Sequence, residues 1–248
     1  MRPATETVWR HDSSFNRLVI GRRVLLIHRD ILPHADAIVA QLGELPGARV
    51  PGAGNRQSAH QLSLEGGPLL VARRARRGGM VRLLLSDTFF GLDPRPFREL
   101  RVAIEARRRG IAVAEPMGAM VQWLGLGLYR GFFLTRALAG MTLWDFVRTD
   151  EDPAVRNHVM LKARAAVATM HDRGLFHADL NLQNLFVTRQ GESFAVVILD
   201  LDKARMYDGP LAARMRRSNA RRLVRSARKL DPAGRYFDMR ALSILNVG

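Results

Sequence analysis

His177-Ala-Asp-Leu-Asn-Leu-Gln-Asn184, with Leu199-Asp-Leu-Asp202 after it, is the stretch from which the rest of this chain is read. Phosphoryl transfer from a nucleotide needs a carboxylate that orients and deprotonates an attacking hydroxyl. It also needs an amide oxygen and a second carboxylate to hold Mg2+ on the ATP phosphates. Asn184 lies five positions after Asp179, the interval of the base and the metal-binding amide in H-R-D-x-x-x-x-N. Asp200 ends the apolar run Phe194-Ala-Val-Val-Ile-Leu199, which reads as a buried strand. Asn184-Leu-Phe-Val-Thr188 reads as a second strand, and the Arg189-Gln-Gly-Glu192 turn between them predicts a hairpin. That hairpin returns Asp200 to the side of Asn184. The resulting oxygen ligands are hard, which suits Mg2+. A lone Asp or Asn would more simply cap a loop, but three such residues in this order, after a helix and around a hairpin, favour a site.

Working outward, the composition sets bounds. A chain of 248 residues can bury a substantial core in one large domain or two lobes. Its 47% hydrophobic and 25% charged residues are those of a globular protein. The balance of 39 Lys+Arg against 23 Asp+Glu leaves a net charge of +16 and predicts an anionic partner: nucleic acid, anionic lipid or a phosphorylated substrate. Cysteine is absent, which excludes a disulfide framework and thiolate chemistry and fits a reducing compartment. Met1 to Arg10 is polar, so no secretory leader is expected. The apolar stretch Met117–Tyr129 is shorter than the roughly 20 residues a spanning helix needs and reads as strands. Membrane contact, if any, is expected to be peripheral.

Leu18-Val-Ile20 and Val24-Leu-Leu-Ile27 read as strands, and Pro33 to Leu45 as a short helix with Pro in its first turn. Pro51-Gly-Ala-Gly54 is a glycine-bearing loop in which Gly52 and Gly54 would let backbone N–H groups approach phosphates, although G-x-G also occurs in ordinary turns. Leu69-Leu-Val-Ala-Arg73 is a strand ending in a cation and opening the cluster Arg73-Arg-Ala-Arg-Arg77. Arg73 stands where a phosphate-pairing cation follows its strand, while the other arginines read as a solvated face. Pro94 to Arg109 predicts a helix with Asp93 as its cap. Its Glu99 is the expected partner of Arg73, with Glu105 as second choice. Asp152-Pro153 begins a long amphipathic helix to about Arg173. His171 and His177 are too few for a zinc site and read as structural. Leu211 to Leu230 predicts a helix with one apolar face and eight basic residues, suited to an anionic bilayer, to nucleic acid, or simply to packing inward with arginines outward.

Together, Leu70-Val-Ala-Arg-Arg-Ala-Arg-Arg-Gly-Gly79, Arg98-Glu-Leu100, His171-Asp-Arg-Gly-Leu-Phe-His-Ala-Asp-Leu-Asn181, Leu199-Asp-Leu-Asp-Lys203 and Asn219-Ala-Arg-Arg-Leu-Val-Arg-Ser226 resemble the lipopolysaccharide kinase family, in its branch acting on 3-deoxy-D-manno-octulosonic acid (Kdo). The resemblance covers roughly residues 50 to 230. It implies an α+β, protein-kinase-like two-lobed fold with a short C-lobe. The lobes are expected at 1–136, a sheet and one helix covering the nucleotide, and at 137–248, mainly helical and carrying the loop and hairpin. It implies ATP and Mg2+ as cofactors and a lipid-linked Kdo sugar as acceptor. The implied partner is an anionic membrane surface rather than nucleic acid, with the protein peripheral on the cytoplasmic face of the inner membrane; no oligomeric state is implied. Carried onto this chain, Asp179 is the catalytic base and His177 braces its loop. Asn184 and Asp200 are Mg2+ ligands, and Arg73 with Glu99, under the Gly52 and Gly54 loop, positions ATP. The chain departs from protein kinases in having Arg73 for Lys, Asn181 for a catalytic-loop Lys and Asp202 for the Gly of D-F-G, and in lacking A-P-E. A small or lipid-linked hydroxyl therefore fits better than a protein acceptor.

Overall fold

The structure is a computed structural model that describes residues 13–44, 59–75 and 88–246. Gly52 and Gly54, and the 76–77 part of the arginine cluster, lie outside the described residues. The described chain divides into two compact units. A sheet unit holds residues 13–101 and 115–137, and a helical unit holds 102–114 and 138–246.

The sheet unit is antiparallel throughout. Its strands are β1 (Phe15–Ile20), β2 (Arg23–His28), β3 (Ala59–Leu62), β4 (Leu70–Arg74), β5 (Phe89–Phe90), β6 (Pro116–Gly125) and β7 (Leu128–Arg136). They lie in the order β1-β2-β6-β7-β4-β3, and β5 pairs with the first residues of β7 beyond the end of β4. Pro33 falls not in the first turn of an α-helix but inside a short 3-10 helix, Arg29–His34, which leads into α1 (Ala35–Glu44). Ile31 and, from α1, Ile38 and Leu42 bury their side chains with Leu25, Leu70 and Leu134 of the sheet. The β-branched and leucine-rich runs of β2, β6 and β7 form strands because alternate side chains can enter this core. Helix α2 (Arg95–Arg108) contributes its first half to this unit.

The helical unit is built round α4 (Pro153–Asp172). The Asp152 carboxylate accepts from the Ala154 N–H at 2.8 Å, and Pro153 occupies the first turn, where its missing N–H costs nothing. Val159, Ala163, Val167 and Met170 then form its buried stripe. Helix α4 packs on the hairpin of β10 (Leu185–Gln190) and β11 (Ser193–Ile198), whose free edge is covered by β8 (Met141–Thr142). The connection into β8 crosses the hairpin so closely that Gly140 cannot be replaced: a Cβ there would collide with the Val187 carbonyl. Strands β9 (Leu175–Phe176) and β12 (Arg205–Met206) pair with each other, and α3 (Leu143–Thr149), α5 (Ala213–Leu230) and α6 (Met239–Leu245) complete the unit. Among the described residues, no helix is long and apolar enough to cross a membrane.

Candidate active site

The loop after β9 is locked by its own side chains. Leu180 and Leu182 are buried and anchor it, so the residues between and beside them are held in place. The Asn181 side-chain Oδ1 accepts from the N–H groups of Gln183 (2.9 Å) and Asn184 (3.2 Å), a local turn that Asn makes readily. Asn181 Nδ2 and Asn184 Nδ2 both donate to the Asp179 carbonyl at 2.9 Å. Asn181 is therefore a scaffold residue of the loop, consistent with its standing where a cation would be expected. The same bonds fix the Asn184 amide, leaving its Oδ1 turned away from the Asp179 backbone. Asp179 itself is exposed, as a base that must meet an incoming hydroxyl should be.

The hairpin register brings the second carboxylate to this loop. Leu185 pairs with Ile198, and the Leu199 N–H donates to the Asn184 carbonyl at 2.9 Å, so Asp200 directly follows a residue bonded to Asn184. Asp200 has φ of 60°. Non-glycine residues avoid this left-handed region, and the strain is characteristic of a side chain held in a set direction for function.

His177 joins the two carboxylate segments. It is 1% exposed. Its Nδ1 accepts from the Asp179 N–H at 3.2 Å, which leaves Nε2–H to donate to the Leu199 carbonyl at 2.9 Å. Both nitrogens are thus satisfied in the neutral ring. Burial pushes the His177 pKa down, against the opposing effects of the Leu199 carbonyl and the Asp200 and Asp179 carboxylates. The imidazole is a neutral crosspiece between the Asp179 loop and the strand end before Asp200.

A further layer lies behind it. Asn219 of α5 is fully buried; its Nδ2 donates to the His177 carbonyl at 2.6 Å, and its Oδ1 faces His171 Nε2 at 3.2 Å. The Ser226 hydroxyl oxygen accepts from the Leu182 N–H at 3.3 Å. Burial lowers the His171 pKa to about 4, and its buried Nδ1 has no partner among the described residues. A proton there would gain no acceptor. Neither Asn219 nor Ser226 was assigned a role from the sequence. The available signal was a polar residue in line with Ala220, Leu223 and Ala227, the buried stripe of α5.

In the sheet unit, Arg73 on β4 pairs with Ala59 and Phe133 of the neighbouring strands, and its guanidinium contacts both carboxylate oxygens of Glu99 on α2. Glu99 is buried, so the contact is an ion pair largely withdrawn from water. Glu105 is committed elsewhere: Arg108 binds it at 2.8 Å and Arg109 at 2.6 Å, within the helical unit. Burial raises its pKa, but the hydrogen bonds from Arg108 and Arg109 outweigh that and hold it below the usual carboxylate range.

The donor set fits Mg2+. Asn184 and Asp200 are hard oxygen donors on adjacent, hydrogen-bonded backbone, and the Asn184 amide nitrogen is already occupied, which presents its oxygen. Among the described residues no group of three or more His, Cys, Asp or Glu could hold a metal by itself. An ion here would draw its remaining ligands from nucleotide phosphates and water, as Mg2+ commonly does.

The chain is similar to several known proteins. A 3-deoxy-D-manno-octulosonic acid kinase of Vibrio cholerae serotype O1 is 29% identical over 178 residues, covering 70% of this chain and 72% of that protein. One from Xylella fastidiosa (strain 9a5c) is 29% identical over 163 residues, and the match spans 64% of this chain and only 62% of the relative. The solved structure of WaaP in complex with acyl carrier protein superposes with a TM-score of 0.58 over 89% of this chain and 86% of that one, at 15% identity, which establishes the protein-kinase-like α+β fold. The sequence model of the lipopolysaccharide kinase (Kdo/WaaP) family matches residues 57–240, and this chain belongs to that family.

Proposed function

We propose that the protein phosphorylates a Kdo hydroxyl of the lipid A or lipopolysaccharide inner core, using ATP and Mg2+. The observation that carries this reading is the His177 crosspiece. It holds the Asp179 backbone and the strand end before Asp200 in one hydrogen-bonded frame, in a chain of the lipopolysaccharide kinase family. In this reading Asp179 accepts the proton of the acceptor hydroxyl and aims its oxygen at the γ-phosphorus. Asn184 and Asp200 hold Mg2+, which when bound neutralises charge on the phosphate oxygens. Arg73, steadied by Glu99, supplies positive charge to the ATP phosphates, and the Gly52 and Gly54 loop is assigned to the same task. Neutral His177 moves no proton; it keeps Asp179 in place.

The acceptor is lipid-linked and its membrane is anionic, so the protein works as a peripheral membrane enzyme. The exposed face of α5 supports this. Arg214, Arg217, Arg221, Arg225, Arg228 and Lys229 are exposed while Asn219, Leu223 and Ala227 are buried. Arg216 and Arg222 are only half-exposed, and Arg216 is tied to the Leu211 carbonyl at 2.9 Å and to Asp172 at 2.6 Å.

The test is a mass measurement. Kdo-bearing lipid A precursor incubated with protein, ATP and Mg2+ should gain one phosphoryl group. Folded Asp179→Asn should be slower by about 100- to 10,000-fold, the usual worth of a general base. No mass gain with wild-type protein, or undiminished turnover by Asp179→Asn, would overturn the assignment.

A further inference from the structure

The rim of the sheet unit carries exposed leucines, one of them in a strained backbone conformation. Strands β1 and β2 turn at Gly21, and β6 and β7 turn at Leu126. The registers Arg23 with Gln122 and Trp123 with Tyr129 put both turns at one end of the sheet, where the Trp123 N–H donates to the Arg22 carbonyl at 2.9 Å. Strand β5 runs towards the same end, because Phe90 pairs with Leu128, and it delivers Leu92 there. Leu126 is 94% exposed, Leu92 91% and Phe90 73%, with Leu128, Val19 and Ile20 exposed beside them. Scattered exposed apolar residues are ordinary, but a set gathered on the loops of one rim is not.

Leu126 is the telling member. It adopts φ of 48° between Gly125 and Gly127. Glycine or asparagine would take that conformation with less strain, whereas leucine strains the backbone and here gains no burial in return. A residue that costs stability and contributes no core packing has its apolar side chain accounted for by something outside the described chain.

We infer that this rim is an apolar anchor that inserts between the headgroups of an anionic bilayer. The apolar side chains come from the ends of β1, β5 and β7 and the turns beside them, spread over separate elements, which suits a fluid surface. Behind them lies the half-buried Trp123, packed on Tyr129. Arg22 sits in the β1–β2 turn, Arg130 follows Tyr129 on β7 and the Arg95 guanidinium lies 4.7 Å over Phe89, while Asp93 is itself paired by Arg98 and Arg101. Leucine tips, then an aromatic and arginines, is the order of a membrane interface. The inference deepens the proposed function, from which it takes the lipid surface. It differs from the α5 arginines in physics: insertion removes apolar area from water and survives salt, whereas charge attraction does not.

The chain has no cysteine, so Leu92→Cys carries a single environment-sensitive fluorophore, with Leu161→Cys on α4 as control. Vesicles of equal parts phosphatidylcholine and phosphatidylglycerol should shift the Leu92→Cys probe to the blue. Lipids brominated in the acyl chain should quench it, and should leave the Leu161→Cys probe unchanged. In about 1 M salt, where the Debye length is about 3 Å, wild-type protein should stay measurably bound. Leu92→Ser/Leu126→Asn should bind about tenfold more weakly or less. Because Asn tolerates the left-handed conformation, this variant should melt no lower than wild type and phosphorylate a water-soluble Kdo acceptor at the wild-type rate. Equal salt-resistant binding by variant and wild type, or a probe unmoved on vesicles that retain the protein, would overturn the inference. So would a concentration-dependent dimer abolished by the variant without lipid. If no Kdo acceptor is phosphorylated while the probe still inserts, the functional reading fails and the anchor stands.

Discussion

The Asn219 side chain donates to the carbonyl of His177 across 2.6 Å, tying helix α5 to the residue two places before the proposed base. Replacing it by leucine, of similar size, leaves that carbonyl and the His171 Nε2–H unsatisfied in the core. Each buried group left unpaired costs about 1–3 kcal/mol, so Asn219→Leu should lower the melting temperature. Below the transition, kcat should fall while the KM for ATP stays put, because the loop carrying Asp179 loosens. A folded Asn219→Leu protein with wild-type kcat would show that the bond serves stability alone.

The outer face of α5 makes a separate prediction. Near an anionic leaflet each cation contributes about 1 kcal/mol, fading over roughly 8 Å at physiological salt. Changing Arg214, Arg217, Arg221 and Arg225 to glutamine, with Arg216 kept because it binds Asp172, should weaken salt-sensitive vesicle binding and raise the KM for lipid-linked acceptor. The KM for ATP should not move. If it rises equally, these arginines belong to the nucleotide; if duplex DNA outcompetes acidic vesicles, the membrane reading is lost.

Asp200→Asn keeps a residue that tolerates φ of 60° but removes the charge offered to the metal. The expected outcome is a shift of the Mg2+ activation curve to higher concentration, with the protein still folded. Wild-type turnover should vanish in chelator. An unchanged Mg2+ requirement in Asp200→Asn would remove it from the ligand set.

Arg73 and Glu99 separate stability from binding. Removing only the arginine takes an ion-pair partner from a buried carboxylate, so Arg73→Ala should lower the melting temperature and cost up to about 3–5 kcal/mol of stability. Arg73→Met/Glu99→Leu should recover much of that loss in a thermal melt. ATP affinity by calorimetry should be lost in both. A double variant that binds ATP as tightly as wild type would reduce the pair to a structural contact.

His171 gives the protein an acid-sensitive core. Burial lowers its pKa from 6.5 to about 4. Between those values the unfolded chain holds a proton that the folded chain refuses, so the stability from this group is complete above pH 6.5 and is lost as pH falls towards 4. The slope can reach about 1.4 kcal/mol per pH unit. His171→Gln, which keeps a neutral donor for Asn219, should flatten the decline of melting temperature between about pH 6.5 and 4.5. An unchanged decline would place its origin in other groups, buried His177 first.

Local signals carried much of this into the sequence. The Asp152-Pro153 start of α4, the apolar runs and turn of the β10–β11 hairpin and the Arg73 strand are each written in a few adjacent residues, and they appear in the structure within a residue or two of the expected bounds. What was not legible depended on distant partners. Arg216 looks like any other arginine of α5 until Asp172, on another helix, is seen to hold it. Glu99 is the expected partner of Arg73, but Glu105 stays open as a second choice until Arg108 and Arg109 are seen to take it, because periodicity alone does not say which carboxylate faces a strand. Leu126 reads in sequence only as part of the apolar stretch Met117–Tyr129, since a backbone angle leaves no mark in composition.

The two faces of α5 answer to different rules of descent. Outward positions such as Arg217 and Arg221 need only a positive charge, so arginine and lysine should exchange there and even change places along the helix. Inward, Asn219 must present a donor and an acceptor at once, and fully buried Ala220 and Ala227 leave no room for growth. In a saturation library selected for acceptor phosphorylation, substitutions should therefore accumulate along α5 with the period of the helix. The tolerant lanes would be those that never touch the loop.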